Sequence, residues 1–495
     1  MKQLAELLKN MPAQVVKGDI KGLKVAGIAY DSRKVKPGAV FVCIEGFKTD
    51  GHNYIDSAVR NGAAAIVVQR EVAVPEGVPL ILAPDTRMAL ALLGAAFYDY
   101  PSRALTMIGV TGTNGKTTTT HLIEEILKEN GKKVGLIGTI KNKIGDEELP
   151  VTNTTPESLD LQQLLAQMRD AGVSHVVMEV SSHALELGRV AGVEYDLGIF
   201  TNITQDHLDF HENMENYLAA KTKLFSGLGK NAGKKHSKYG IINVDDPQAD
   251  KIIAQTTAKV LTYGINNKAD LRAQNINLRA EGVSFDVVTP GGELHLALQI
   301  TGLFNVANAL AAVAAAVALG LPLDSVKTAL EQVRGVAGRL EKVDAGQDFA
   351  VLVDYAHTPD SLENIIKAAR GFTRGRIITV FGCGGDRDRT KRPIMGAVSA
   401  RLSDYSVLTS DNPRSEEPLA ILADIEAGVK PLIGDDQYAV IPDRREAISF
   451  ALKMAEPQDT VLIAGKGHET YQIVGDRVLP FDDRATALEL LRGIR

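Results

Sequence analysis

Cysteine is nearly absent from this chain: Cys43 and Cys383 are the only two in 495 residues, and no C-x-x-C pair occurs. A disulfide framework and a thiolate metal site are therefore not expected. Positive charge is not in excess either. The formal net charge is −6, so no surface is expected that neutralises a nucleic-acid phosphate backbone. Long apolar runs are also scarce. Polar residues interrupt the N-terminal MKQLAELLKN, which argues against a signal-peptide core. The alanine-rich run Ala309–Leu323 contains Gly320 and Pro322 and is short for a bilayer span, so it reads as a buried helix. What is present is ordinary globular chemistry, with 45% hydrophobic and 23% charged residues. The length suits about three domains. A soluble, cytoplasmic α/β protein is expected.

The first hundred residues alternate short β-rich runs with turn signals: 27–30, 39–44 and 64–68. A boundary is expected near Tyr100-Pro101-Ser102. Beyond it a strand-like run, Leu105–Thr111, meets a glycine loop and then a helix in which Leu122, Ile123, Ile126 and Leu127 recur at helical spacing. Gly131 is placed to end that helix, and Val134–Ile137 supplies the next strand, which completes a βαβ unit. Runs at 175–180 and 197–200 repeat the pattern, a more variable segment follows, and the alanine-rich helix closes the section. A second boundary is expected at Gly335–Arg339. Four apolar strands follow, at 349–353, 377–381, 405–409 and 461–464, each ending in a polar or glycine-rich motif. The expected domains are residues 1–101, 102–335 and 336–495. Strands alternating with helices imply mainly parallel sheets, whose ligand crevice lies at the strands' C-terminal ends.

Thr111-Gly112-Thr113-Asn114-Gly115-Lys116-Thr117 follows a strand and opens a helix, the context a phosphate loop requires. Glycines let backbone N–H groups approach phosphate oxygens, and the helix N-terminus adds partial positive charge. Lys116 is placed to reach the outer phosphates and the Thr117 hydroxyl to help hold Mg²⁺. Val110 stands where the usual spacing has glycine. Asn267-Lys268-Ala269-Asp270 matches the guanine-recognition pattern of GTPase switches. A switch also needs D-x-x-G, and no aspartate between Thr117 and Asn267 has glycine three residues later.

The form Gly112–Thr117 resembles the phosphate loop of the Mur ligases and the related folylpolyglutamate synthases. The resemblance spreads over nearly the whole chain. Glu179-Val180-Ser181-Ser182-His183, the run Asn202–Asp209, Gly302–Asn308, Gly338-Arg339-Leu340-Glu341 and Asp354–Pro359 are all similar to Mur ligase motifs, in family order. Asp31-Ser32-Arg33 and Asp411-Asn412-Pro413-Arg414 resemble the branch that adds the third residue of the peptide stem. The resemblance implies a UDP-binding domain, a central ATPase and a C-terminal Rossmann-like domain that receives the amino acid. It also implies a two-step reaction. A substrate carboxylate takes the γ-phosphoryl group of ATP, and an amine then displaces phosphate from the acyl phosphate.

Residue by residue, the resemblance implies ATP contacts at Gly112, Thr113, Asn114, Gly115, Lys116, Thr117, Asn305 (at the adenine), Arg339 and Asp354. It implies Mg²⁺ ligands at Thr117, Glu179 and His207, and a Lys221 carbamylated by CO₂ that holds a second Mg²⁺. Without the resemblance, Lys221 reads as an exposed helix lysine. His357 is a candidate general base, joining Lys116 and Lys221 as catalytic residues. His207 and His211 stand four apart, the spacing of a zinc pair, but no further ligand pattern supports zinc. Ser32, Thr154, Thr155, Ser181 and Arg189 resemble contacts to UDP-N-acetylmuramoyl-L-alanyl-D-glutamate. Arg387, Asp411, Asn412, Pro413, Arg414, Gly465 and Glu469 resemble a meso-diaminopimelate pocket. A lysine-adding or folylpolyglutamate-type ligase is the alternative within the superfamily. The folate enzymes lack the domain that carries Asp31-Ser32-Arg33. No nucleic acid and no membrane span is expected, and the protein is expected to act as a monomer.

Overall fold

The structure, a computed structural model, describes residues 1–46, 49–229, 234, 237–279 and 282–494. The described residues build three large sheets, one after another along the chain. The first orders its strands Gln14–Lys17, Leu80–Leu82, Ala65–Val68, Ala39–Val42 and Gly27–Ala29, parallel except for the first. Ala39–Val42 and Ala65–Val68 are buried along their whole length. Continuous β-branched and small apolar residues suit a strand covered on both faces. Helix Thr86–Phe97, capped by Asp85, packs its apolar residues beneath them.

The central sheet has eleven strands. Its parallel heart runs Val134–Ile137, His175–Glu179, Thr106–Thr111, Leu197–Phe200, Tyr239–Asn243, Lys259–Gly264. The glycine-loop strand therefore lies between the strands that end in Glu179 and Phe200. The segment that reads as variable in sequence supplies antiparallel strands Leu271–Arg279, Gly282–Thr289 and Gly292–Leu298. Their alternating buried and exposed residues mark a sheet with one face on the core. The helix Lys116–Glu129 buries Leu122, Ile123, Ile126 and Leu127, and Gly131 ends it with φ +68°. The alanine-rich run forms the buried helix Leu303–Ala318, and Pro322 precedes the helix Leu323–Gln332. Among the described residues no helix is long and apolar enough to cross a membrane.

The third sheet orders Glu341–Lys342, Ala350–Asp354, Thr460–Ala464, Ile377–Phe381, Tyr405–Leu408 and Tyr438–Val440, parallel except for the first. Tyr438–Val440 is short and only partly buried, so its sequence carries little strand signal. A hairpin, Tyr471–Val474 with Arg477–Pro480, lies outside this sheet, and its first strand bridges to Arg414.

Candidate active site

At Gly115 φ is +85°, and a Cβ there would lie 2.4 Å from Asn308 Oδ1. At Gly112 a Cβ would lie 1.9 Å from Thr201 Oγ1. Both positions exclude a side chain, so the loop backbone can present its N–H groups at the start of Lys116–Glu129. Lys116 Nζ donates to the carbonyls of Gly112 (3.0 Å) and Thr113 (2.8 Å). Burial lowers its pKa, against the opposing pull of Glu179 and Asp206. Val110 is a buried strand residue in this arrangement.

Thr117 is where the central and C-terminal units meet. Its hydroxyl donates to Glu179 Oε1 at 3.0 Å and accepts from Arg339 Nη2 at 3.0 Å. The Glu179 carboxylate also accepts from Thr139 N at 2.8 Å and Thr139 Oγ1 at 3.1 Å. Arg339 lies 4.9 Å from the centre of the Tyr355 ring, and its Nε is a buried donor with no partner among the described residues. Buried Asp354 holds the turn behind it, accepting from Leu340 N and Ala356 N, both at 2.7 Å. Burial raises its pKa.

Lys221, on the helix Met214–Gly227, is 1% exposed, which corrects the exposed lysine that the local sequence suggests. Its Nζ donates to Gly112 O at 2.8 Å and sits 4.4 Å from the centre of the Tyr217 ring. Burial, then the Lys116 charge, pushes its pKa well below the ordinary lysine value. His207, at φ +55°, has Nε2 3.3 Å from Asp206 Oδ2 and packs against His183, ring centres 4.7 Å apart. His211 spends Nε2 on Ser182 Oγ at 2.9 Å. Among the described residues no group of three or more metal-ligating side chains includes His207 and His211. The cluster that does form, Glu45, Asp50 and His52, lies in the N-terminal unit, where Arg70 pairs with both carboxylates.

A cavity between the central and C-terminal units is lined by Asn114, Gly115, Thr117, Asn308, Arg339, Asp354 and Asp360, among others. Asn305 does not line it. Its Nδ2 donates to Thr301 O at 2.8 Å and its Oδ1 accepts from Asn308 Nδ2 at 3.1 Å. The adenine-side role expected of Asn305 thus reaches the cavity only through Asn308, one turn further on. His357 holds Nδ1 2.8 Å from Tyr355 O, and burial lowers its pKa. If Nδ1 carries the proton, Nε2 is left as the acceptor. The guanine-type motif serves its own turn. Asn267 Nδ2 donates to Val244 O at 2.7 Å, and Asp270 accepts from Thr262 N and Oγ1 at 2.8 and 2.7 Å.

Thr154, Thr155, Ser181 and Arg189 gather around Glu179. Thr154 Oγ1 is 3.1 Å from Thr139 Oγ1, and Thr155 Oγ1 donates to Glu179 O at 3.0 Å and lies 3.2 Å from Ser181 Oγ. Arg189 Nη1 donates to Thr155 O at 3.3 Å. Ser32 lies apart, in a cavity of about 650 Å³ that Tyr30, Tyr54, Arg87 and Glu157 also line. Glu157 connects the two places, pairing with Arg87 at 3.6 Å and Arg189 at 3.4 Å.

The expected amino-acid residues come together at neighbouring strand ends. Gly465, at φ +116°, leaves room for Asp411, whose Oδ2 would lie 2.5 Å from a Cβ there. Asn412 Nδ2 donates to Glu469 Oε2 at 2.9 Å, and its Oδ1 accepts from Ile473 N at 2.9 Å. Arg414 Nη1 donates to Gly385 O at 2.7 Å, while the Pro413 carbonyl packs against Gly385. Arg387 Nη1 donates to Asp386 O at 2.9 Å. Asn412 is thus occupied in bracing Glu469, and among the residues expected from the sequence Asp411, Glu469, Arg387 and Arg414 carry charge.

Several residues not singled out from the sequence belong to the site. Asp206 sits among His207, His357, Lys391, Lys116 and Lys221. Burial pushes its pKa up, but His207, His357 and Lys391 bring it below the ordinary value. Asp360 Oδ2 accepts from Asn114 Nδ2 at 2.6 Å and Thr204 Oγ1 at 3.2 Å, which ties the two units together. Asp206 lies inside a motif read from the sequence, so a signal existed. Asp360 follows Pro359, and only the juxtaposition of the two units gives it this role.

Family models match the chain in sequence order: "Mur ligase family, catalytic domain" over residues 24–98, "Mur ligase middle domain" over 110–316, and "Mur ligase, glutamate ligase domain" over 338–467. The chain belongs to the Mur ligase family. It is 52% identical over 463 residues, 94% of each chain, to the UDP-N-acetylmuramoyl-L-alanyl-D-glutamate–2,6-diaminopimelate ligase of Geobacillus thermodenitrificans. It is 48% identical over 491 residues, 99% of each chain, to the ligase of that name from Syntrophomonas wolfei. A solved structure of a ligase of the same name matches with TM-score 0.69 and 32% identity over 99% of each chain.

Proposed function

We propose that this protein is an ATP-dependent ligase of peptidoglycan precursor synthesis, joining meso-2,6-diaminopimelate to UDP-N-acetylmuramoyl-L-alanyl-D-glutamate. The observation that carries the reading is the meeting at Thr117 of the phosphate loop, Glu179 and Arg339. In support, Thr155, read as a precursor contact, bonds the Glu179 carbonyl, and Thr154, read likewise, lies within hydrogen-bond reach of Thr139. The domains are taken as residues 1–101 for the UDP end, 102–335 for ATP, and 336–495 for the amino acid.

The residues fit a nucleotide triphosphate: Gly112 and Gly115 form a side-chain-free cradle, and Arg339 Nε is a buried donor without a partner. Thr117 and Glu179 offer the hard oxygen atoms Mg²⁺ prefers, and His207 completes the set the family uses. When bound, Mg²⁺ supplies positive charge that offsets repulsion between the carboxylate and the triphosphate. Gly112–Thr117 holds the outer phosphates, and Lys116 and Arg339 stabilise charge on the transferring phosphoryl group. The substrate carboxylate attacks the γ-phosphorus, ADP leaves, and an acyl phosphate forms. The amine of diaminopimelate then attacks the acyl carbon, phosphate leaves, and His357 Nε2 takes the amine proton.

Lys221 is the residue that CO₂ modifies. Carbamylation needs a neutral amine, and burial beside Lys116 favours that form. The product is an anion at the Gly112 end of the loop, an oxygen ligand for a second Mg²⁺. ATP and a nucleotide-linked substrate imply a cytoplasmic setting, and one chain carries all three substrate sites, so a monomer suffices. The test is mass spectrometry of the product formed from UDP-N-acetylmuramoyl-L-alanyl-D-glutamate, ATP, Mg²⁺ and a panel of amino acids. A product with diaminopimelate added is expected. Lysine incorporation at equal rate, or turnover of a folate substrate, would overturn the reading.

A further inference from the structure

Lys466 lies in Gly465-Lys466-Gly467-His468-Glu469, which read locally is a turn after a strand, where a lysine is ordinarily exposed. The fold does the opposite: Lys466 is 0% exposed. Both flanking glycines take positive φ, +116° and +54°, and a Cβ on Gly467 would lie 2.7 Å from Tyr355 Cβ. The two glycines let the chain press against its neighbours and turn the intervening side chain inward. The ammonium donates to Glu469 Oε2 at 3.0 Å and to Asn412 Oδ1 at 3.3 Å, and lies 5.5 Å from the centre of the Tyr471 ring.

The hydrogen bonds to Glu469 converge on one of its two oxygens. Its Oε2 accepts from both Lys466 Nζ and Asn412 Nδ2, whereas Oε1 has no partner among the described residues. The Glu469 side chain is only 15% exposed. A carboxylate held through one oxygen keeps the other, accessible oxygen open to a donor from a ligand. Asn412 is fixed in turn by Ile473 N, so the arrangement is rigid.

We propose that Lys466 is a positioning and specificity-determining residue for the amino-acid substrate. It aims Glu469 Oε1 at the ammonium group on the far carbon of the substrate and cancels one of the two negative charges of the Asp411–Glu469 pair. The charge balance decides which amino acid fits. With Lys466 present, Asp411 and Glu469 together count as a single excess negative charge beside Arg414 and Arg387. That suits a far end bearing both an ammonium and a carboxylate. Without Lys466 the pocket gains a negative charge, repels the far carboxylate and favours a substrate whose far end is a bare cation. This inference rests on the amino-acid assignment made under Proposed function.

The test uses the full-length enzyme and Lys466→Met, which keeps the unbranched shape and removes the charge. Phosphate release is followed with diaminopimelate and with L-lysine, and KM is measured for all three substrates. The expected result is a rise in KM for diaminopimelate of at least tenfold, unchanged KM for ATP and for the UDP-linked precursor, and a diaminopimelate-to-lysine preference reduced at least tenfold. Lys466→Met/Glu469→Gln restores the pocket's charge. It is expected to recover part of the diaminopimelate-over-lysine preference relative to Lys466→Met alone, whatever the stability of the single variant. An unchanged preference ratio in Lys466→Met, an equal rise in every KM, or no recovery in the double variant would overturn the proposal. If the unmodified enzyme fails to add diaminopimelate, the functional reading itself fails, and that outcome is seen separately in the wild-type control.

Discussion

Removing the charge of Asp483 is expected to destabilise the C-terminal unit severely and to damage amino-acid binding while sparing ATP binding. Arg444 and Asp483 are both fully buried and joined by two parallel hydrogen bonds, Nε to Oδ1 and Nη2 to Oδ2, each 2.7 Å. The remaining donors of Arg444 reach Ala464 O at 2.9 Å and Ser410 O at 3.2 Å. Ala464 ends the strand that leads into Gly465–Glu469, and Ser410 lies just past the strand Tyr405–Leu408 and directly before Asp411–Arg414, so one guanidinium ties together the two loops of the amino-acid cluster. Asp483→Asn preserves shape but leaves a buried cation uncompensated, which costs about 3–5 kcal/mol. A domain of this size loses about 2–4 °C of melting temperature per kcal/mol, so the fall is on the order of 10 °C. Differential scanning calorimetry of the full chain measures it. Replacing both partners, Arg444→Met/Asp483→Leu, is expected to recover most of the stability, because two desolvated charges are exchanged for apolar packing. It should not recover the KM for the amino acid, because the tie between Ser410 and Ala464 is gone. A melting temperature within about 2 °C of wild type for Asp483→Asn, or a double variant with normal amino-acid KM, would refute this reasoning.

Lys116→Ala is expected to lower kcat by on the order of 10²-fold or more with the melting temperature nearly unchanged, since the lysine serves the transferring phosphoryl group and no core. Near-full activity would remove the loop from the mechanism. Lys221→Ala is expected to be largely inactive and to regain part of its activity when short carboxylic acids are added. Normal turnover by Lys221→Arg would contradict the carbamate. Arg414→Ala is expected to lose most diaminopimelate activity and to narrow the gap to lysine. A site built around a charged group rejects ligands lacking it by up to roughly 10⁴-fold, so an unchanged substrate ratio would count against Arg414. Finally, hydrogen bonds from Arg392 hold the Glu416 carboxyl down to about 2. Its folded value lies below its ordinary one, so its contribution to stability is present above about pH 4.5 and lost as pH falls toward 2. Glu416→Gln should flatten the acid limb of a stability–pH curve, and an unaltered limb would show that this pair does not govern it.

Much of the architecture was legible because it depends on local pattern. Apolar runs with turn signals mark the buried parallel strands, and glycine before Lys116 marks a helix N-terminus. Gly131 and Pro322 mark helix ends through their own backbone preferences. The sequence by itself therefore determined the α/β class, the phosphate loop and the motifs at strand ends. It could not determine that Leu271–Arg279, Gly282–Thr289 and Gly292–Leu298 extend the central sheet as its edge, because alternation marks a half-buried strand but not the strand it pairs with. Nor could it determine burial, which depends on what the rest of the chain stacks above a residue. Lys221 reads in sequence as an exposed helix lysine, and Lys466 lies in a turn, where lysines are ordinarily solvated. The fold buries both, and burial changes their chemistry, making one a candidate for carbamylation and the other a brace for Glu469. The motif singled out Asn305 as the nucleotide contact, and only the helix's rotation in the fold puts Asn308, not Asn305, on the cavity wall. Asp360 joins the site through contacts with Asn114 and Thr204, residues 246 and 156 positions away. Such a pairing arises when two separately folded units close on one another, and no local periodicity records it.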